Sequence, residues 1–252
     1  THHASTPPPR EEEKKEVSIA VTEISEVSLK AAESEFQNKG FKEKLILVDS
    51  NVALLKSIND GSVDAGMAVH KAFMEKFNRE NNGDLVMVQP YTYYTGIGLY
   101  SEKYKSLDEI PQKARISIMN DAMNMDKGLR MLEDAGLITL DKSKNDQYTL
   151  LDIKENPRNI EIIEMDQAQT VKSLEELDGA VVFFTHMRNA GKDYTTYLFR
   201  DQDAKDYPIA LVVKKGNENA PWAVALAESL RSEEAGKVIK EYFGGVFTIY
   251  ED

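Results

Sequence analysis

The sequence predicts an α/β fold in two similar lobes, on three observations. From Val17 onward short apolar β-like runs alternate with amphipathic helical stretches. Glycines stand where those helices should stop, and one stretch of the first half is echoed in the second. With 252 residues the chain has room for one large domain or two small ones.

In order, Val17 to Val21 reads as a buried strand, and a helix follows to about Asn38, closed by Gly40. Leu45 to Val48 is the next strand and Asn51 to Asn59 the next helix, ending before Gly61. Ala65 to Val69 and Leu85 to Val88 are further strands, so the layers surround a mostly parallel sheet. A second series begins with Ile97 to Tyr100, a helical turn at Ser106 to Ile110, and a strand at Arg115 to Met119. Met123 to Ala135 is a helix closed by Gly136. Ile160 to Glu164, a helix to about Glu176, and Ala180 to Phe184 repeat the rhythm. Ile209 to Val213 is a strand, Ala220 to Leu230 and Glu233 to Tyr242 are helices, and Val246 to Ile249 is a last short strand.

The echo pairs Leu55-Lys56-Ser57-Ile58-Asn59-Asp60-Gly61-Ser62-Val63-Asp64-Ala65 with Val171-Lys172-Ser173-Leu174-Glu175-Glu176-Leu177-Asp178-Gly179-Ala180. Each is a helix end, a turn carrying an Asp, then an apolar strand. Two α/β lobes of this kind hold small ligands at strand ends and helix N-termini.

Composition removes several functions. The balance of 31 Lys+Arg against 43 Asp+Glu gives a formal charge of −12 with no basic stripe, which argues against nucleic acid as a partner. No apolar run approaches the ~20 residues of a membrane span. Without cysteine there is no disulfide, no thiolate nucleophile and no Cys-ligated metal. The P-loop, nucleophile-elbow and His-Glu-x-x-His motifs are absent too. Gly96-Ile97-Gly98 lacks the third glycine of a dinucleotide site and reads as a sheet kink. No cofactor, metal or catalytic group is expected. Thr1 to Lys15, with three prolines and a dense charge run, is either a disordered tail or a tether that holds a folded domain off a surface; His2 and His3 lie in it.

Outside the tail only His70 and His186 remain, and a lone His is more often packed than catalytic. The methionines at 119, 123, 125 and 131 read as core at near-helical spacing, or as the lining of an apolar pocket. The best local candidate for a site is the strand-to-helix junction Asn120-Asp121-Ala122-Met123-Asn124-Met125-Asp126-Lys127. A helix N-terminus there suits a carboxylate and Lys127 adds a full charge; plain capping with a solvated lysine explains the same residues.

At these residues the chain resembles the NlpA lipoprotein family, the substrate-binding proteins of methionine-type ABC importers. The resemblance rests on ordered landmarks: Leu54 to Ala65, Gly98-Leu99-Tyr100-Ser101, Lys105-Ser106-Leu107-Asp108-Glu109-Ile110-Pro111 and Asn120-Asp121-Ala122-Met123-Asn124. Ala135-Gly136-Leu137-Ile138, Asp152-Ile153-Lys154-Glu155-Asn156-Pro157 and Ala168-Gln169 follow. The likeness spans about Val17 to Val246. It implies a two-lobed, type II-like periplasmic-binding-protein fold that closes over an amino acid in a cleft between lobes, and a lipid anchor on a cysteine preceding Thr1. Residues 1–16 would be the tether, 17–94 with 208–252 lobe one, and 95–207 lobe two.

The family's ligand positions are altered here. Its histidine is kept as His70, in Ala68-Val69-His70-Lys71-Ala72-Phe73, but two aromatic positions become Ala68 and Phe73. Its carboxylate-gripping arginine aligns with Lys127, which keeps the charge and loses the bidentate fork. Its Asn-Gly-Asn-Tyr segment becomes Phe183-Phe184-Thr185-His186, and its Pro-Gly-Pro becomes Glu23-Ile24-Ser25. The resemblance therefore assigns Asn120, Asn124 and Lys127 to a ligand carboxylate. His70, Thr185 and His186 supply polar contacts, and Phe73 and Phe183 apolar walls. The expected partners are an amino acid (methionine or a related zwitterion), an ABC permease and, through the lipid, the outer face of a membrane, for a protein acting as a monomer. Three rivals stand beside this reading: another amino acid or short peptide as cargo, a surface lipoprotein acting through protein contacts, and an enzyme using His70 or His186.

Overall fold

The computed structural model describes residues 14–144 and 146–252, so the proline-rich tail with His2 and His3 lies outside the described residues. The elements alternate in the first half: β1 (Glu16–Val21), α1 (Glu23–Asn38), β2 (Lys42–Leu47), α2 (Asn51–Asn59), β3 (Ala65–Met67), α3 (Lys71–Asn81), β4 (Leu85–Met87) and β5 (Tyr93–Tyr94). Then come β6 (Ile97–Tyr100), β7 (Arg115–Met119), α4 (Ala122–Asp134), β8 (Thr139–Leu140), β9 (Ile153–Glu155), β10 (Glu161–Met165), α5 (Gln167–Thr170), β11 (Gly179–Phe183), α6 (Phe184–Asn189) and β12 (Phe199–Arg200). The chain closes with β13 (Val212–Lys214), α7 (Pro221–Leu230), α8 (Glu233–Phe243) and β14 (Thr248–Ile249). The chain forms two compact units: one runs up to Tyr94 and resumes at Lys205–Asp252, the other is Thr95–Ala204.

Local chemistry sets the helix ends. Thr22 and Ser25 form a reciprocal capping box at the start of α1, and Gly40 (φ 94°) follows its end. Ser50 caps α2, Ser232 caps α8 and Pro221 opens α7. Gly136 (φ 82°) follows α4 as expected.

In the first unit the sheet order is β2-β1-β3-β13-β4. β2, β1 and β3 are parallel, whereas β13 runs antiparallel to both β3 and β4. In the second unit the order is β10-β7-β11-β6-β12, again with three parallel strands and then an antiparallel β6 between β11 and β12. Each sheet is therefore mostly parallel, as expected: four of its five strands run the same way, and one antiparallel strand, β13 or β6, is set among them. In each unit the antiparallel strand belongs to the stretch that enters after a crossing of the chain, β6 on the way in and β13 on the way back. No run of consecutive elements announces that pairing.

The internal echo is a repeated joint. Asp64, just before β3, accepts hydrogen bonds from the Ser18 amide (2.9 Å) and hydroxyl (3.1 Å) on the neighbouring strand β1. Asp178, just before β11, accepts the Arg115 amide (2.8 Å) at the start of the neighbouring strand β7. Each carboxylate ties an incoming strand to its parallel neighbour.

Several details differ from the sequence reading. The helix expected to run to about Glu176 is a four-residue turn, α5, followed by a separate 3-10 turn over Lys172–Glu175. Phe184 starts α6 instead of ending a strand. Helix α3 was not foreseen, although Met74 and Phe77 bury one face of it. Gly96 and Gly98 are no sheet kink. Gly98 lies in register between Val182 and Arg200. A Cβ on it would fall 2.8 Å from Tyr100 and Tyr197 side-chain atoms, so the glycine makes room for aromatic rings. The first unit's core includes Leu54, Ile58, Phe77 and Val212, and the second's Ile116, Ile118, Leu129, Leu132 and Val181. Met119, Met125 and Met131 are buried and Met123 half-buried, as core residues should be.

Candidate functional site

The second unit builds its candidate site where β7 passes into α4. Asp121 is the N-cap and its carboxylate accepts the Asn124 amide (3.3 Å), so one free N–H of the helix start is already used. Asn120 is exposed and its amide donates to the Met165 carbonyl (2.9 Å), which pins the junction to β10. Asn124 is half-buried. Helix α4 sits hard on β7, because a Cβ on Gly128 would come within 2.8 Å of Ile118 Cδ1. Asp126 is fully engaged: it accepts Arg130 Nε on both oxygens (3.0 Å) and the Tyr148 amide (2.9 Å). The Arg130 guanidinium lies 4.7 Å from the Tyr148 ring centroid.

Lys127 is not the solvated lysine that capping alone would leave; it is only 6% exposed. Burial pushes its pKa below the usual lysine value, opposed by the carboxylates of Asp201, Asp203 and Asp126. Asp201 is 4% exposed, and burial raises its pKa against the pull of Arg200 and Lys127. Its amide donates to the Ile97 carbonyl (3.1 Å) and its Oδ1 accepts Arg200 Nη2 (3.3 Å). The Arg200 guanidinium stands 4.7 Å from the Phe184 ring centroid. The sequence reading missed Asp201, because Arg200-Asp201-Gln202-Asp203 looks like an ordinary solvated charge run.

Near the end of β11, Phe183 is half-buried with its ring edge-on to His186 at 5.5 Å, and Thr185 is half-buried beside them on α6. His186 hydrogen-bonds the Gln167 backbone, and burial lowers its pKa, so the ring is neutral near pH 7. Its Nδ1 is buried and has no hydrogen-bond partner among the described residues.

In the first unit His70 is the N-cap of α3, with Nδ1 accepting the Phe73 amide (3.1 Å). That bond requires an unprotonated Nδ1. The imidazole packs edge-on against Tyr207 (5.2 Å) and Phe73 (6.5 Å), and Phe73 is half-buried. Lys71 donates its amide to the Pro208 carbonyl (2.9 Å), which locks this helix start to the returning chain. A separate recess in this unit, lined by Thr22, Glu23, Ile24, Leu47, Val48, Asp49 and Asn51, includes none of the predicted ligand residues. Thus Asn120, Asn124 and Lys127 share one junction, Phe183, Thr185 and His186 share another in the same unit, and His70 with Phe73 form a third group in the first unit.

Two mixed α/β sheets of matching strand order, with the chain passing between units at Tyr94/Thr95 and again at Ala204/Lys205, define a periplasmic substrate-binding protein fold. The family model described as NlpA lipoprotein matches residues 17–248, and the chain belongs to that family. The methionine-binding lipoprotein MetQ of Bacillus subtilis is 32% identical over 249 residues, covering 94% of this chain and 89% of that protein. A YaeC-family lipoprotein from Enterococcus faecalis superposes with a TM-score of 0.87 at 29% identity, covering 94% of this chain and all of that one. A nutrient-binding protein from Burkholderia cenocepacia, bound to methionine, gives a TM-score of 0.79 at 26% identity over 93% of this chain and all of that one. No helix among the described residues is long and apolar enough to cross a membrane.

Proposed function

We propose that this protein is the substrate-binding component of an ABC importer and that it captures a small zwitterionic amino acid, methionine or a close relative. It acts as a binding protein and not as an enzyme, outside the cytoplasm, as a monomer attached to the membrane through lipid. The observation that carries the reading is family membership along residues 17–248, in a group whose relatives include a methionine-binding lipoprotein and a protein solved with methionine. Asn120, Asn124 and Lys127 hold the ligand carboxylate, with the lysine supplying a buried cation at a helix start. Thr185, His186 and His70 offer polar contacts, and Phe183 and Phe73 apolar surface. The neutral imidazole of His186, with a buried unpaired nitrogen, suits a hydrogen-bond role better than a charge.

A second cargo is favoured by one observation. Phe183 and Thr185 stand where the family carries amide side chains, so a different amino acid or a short peptide fits the same transport role. Mass spectrometry of the small molecule released on denaturing the purified protein tests the reading. Stoichiometric methionine supports it as stated, and another amino acid or peptide keeps the transport role and moves the specificity. If nothing is released and a thermal-shift screen of amino acids and dipeptides is blank, the small-molecule reading is wrong and contacts with other proteins take its place.

A further inference from the structure

The second unit buries two opposite charges at one place and leaves one of them incompletely bonded. Asp201 is 4% exposed, and its Oδ2 is buried without a hydrogen-bond partner among the described residues. An unpaired, buried carboxylate oxygen is costly, and such a group persists where something else completes it. Its Oδ1 is bonded to Arg200, the Ile97 backbone also hydrogen-bonds the carboxylate, and Lys127 bears on it electrostatically. The backbone is pared away beside it. A Cβ on Gly96 would lie 2.8 Å from Asp201 Oδ1 and 2.6 Å from Arg200 Nη2, so any larger residue there would have to push these side chains aside.

The repeated architecture sharpens the point. Thr22 caps α1 after β1 in the first unit, and Asp121 caps α4 after β7, the matching strand of the second. Six residues past each cap stand Ser28 and Lys127, both buried. In the first unit that position is closed internally, because the Ser28 hydroxyl pairs with the buried Tyr93 hydroxyl at 2.8 Å. In the second unit it carries a cation, with the half-bonded carboxylate of Asp201 acting on it.

We propose that Asp201 is the ammonium-binding residue of the site, accepting the α-amino group of the ligand on Oδ2 while Lys127 takes the carboxylate. This deepens the amino-acid reading and rests on it. A buried lysine alone would welcome any small carboxylate. Adding an opposite charge makes the pair neutral, which matches a zwitterion and penalises an anion that leaves Asp201 unanswered. The ligand class is thereby an amino acid with a free α-amino group, and N-acylated or deaminated analogues are excluded.

The test is calorimetry on the full chain with L-methionine and with its deaminated analogue, 4-(methylthio)butanoate, using the parent and Asp201→Asn. The parent should bind methionine and prefer it over the analogue by at least roughly 100-fold. In Asp201→Asn methionine should weaken by roughly 10- to 100-fold while the analogue weakens little or binds better, so the preference shrinks. A variant that misfolds loses both ligands alike, and its preference is then read from Asp201→Ser, which must show the same narrowing. If the parent binds methionine and the folded variant keeps the same preference over the analogue, the role of Asp201 is overturned and the amino-acid reading is left intact. A parent that binds no amino acid, even after the released molecule has been identified, overturns both.

Discussion

Glu43 offers the sharpest quantitative test of how this fold tolerates buried charge. It is the second residue of β2, in register with Val17 of β1, and is 8% exposed. Neither carboxylate oxygen has a hydrogen-bond partner among the described residues. Burial, with a smaller push from Glu33 on α1, raises its pKa from 4.5 to about 8. The folded protein therefore holds this proton over a range where the unfolded chain has released it. Its stabilising contribution is fully present below about pH 4.5 and is lost as the pH rises to about 8. That displacement corresponds to a ceiling of about 5 kcal/mol, and water reaching an edge strand brings the expected loss to roughly 2–4 kcal/mol. Glu43→Gln mimics the protonated form and should flatten the profile. Its advantage over the parent should be small near pH 4.5 and grow to roughly 2–4 kcal/mol by pH 8.5, then stay level. Trp222, the only tryptophan and fully buried in α7 of the same unit, reports the relevant unfolding step by fluorescence in urea. Parallel pH profiles for parent and variant between pH 5 and 8.5 would refute the assignment, as would a variant less stable than the parent at pH 8.5.

Other perturbations follow from the same geometry. Lys127→Met keeps the buried stem and removes the charge. It should weaken L-methionine by roughly 10- to 100-fold in calorimetry, and parent-like affinity would mean that this lysine does not grip the carboxylate. Gly96→Ala would press a methyl group against Arg200, Asp201 and Phe184, with the nearest contacts at 2.6, 2.8 and 2.9 Å, and should cost about 1–3 kcal/mol in denaturant unfolding. An unchanged midpoint would show that the Arg200 side chain simply moves aside. Asp64→Ala removes the acceptor for both Ser18 donors and should destabilise the first unit by about 1–3 kcal/mol, read by Trp222 fluorescence; an effect below a few tenths would mean the repeated joint is ornamental.

What the sequence made legible follows a physical line. Helix α2 was read residue for residue, and the strands β6 and β7 likewise, because their apolar periods and end signals are local. The internal echo could be seen because Asp64 and Asp178 do the same job at the same point of each unit. The antiparallel strands β13 and β6 were not seen as such, since their partners arrive from distant parts of the chain. Gly96 and Gly98 were misread for a related reason: only the tertiary neighbours Arg200, Asp201, Tyr100 and Tyr197 reveal what a Cβ would strike. Helix α3 had a signal, Phe73, Met74 and Phe77 at helical spacing, that went unused. Asn120, Asn124 and Lys127 were placed on one helix start from sequence, but the burial of Lys127 depends on neighbours that no local pattern encodes.

The two orphaned carboxylates, Glu43 and Asp201, show why burial alone does not mark a binding site. Glu43 has another carboxylate, Glu33, as its electrostatic neighbour, so protonation relieves it and no ligand is required. Asp201 is opposed by Arg200 and Lys127, which favour its charged form and resist that escape. Asp126 is equally buried, yet Arg130 and the Tyr148 amide satisfy it, which makes it structural. Of the three, only Asp201 combines burial, two cationic neighbours and an unanswered acceptor. A cation brought by the ligand removes that cost, and an anion leaves it in place. The discrimination between zwitterion and anion therefore resides in a residue that contributes nothing to holding the carboxylate.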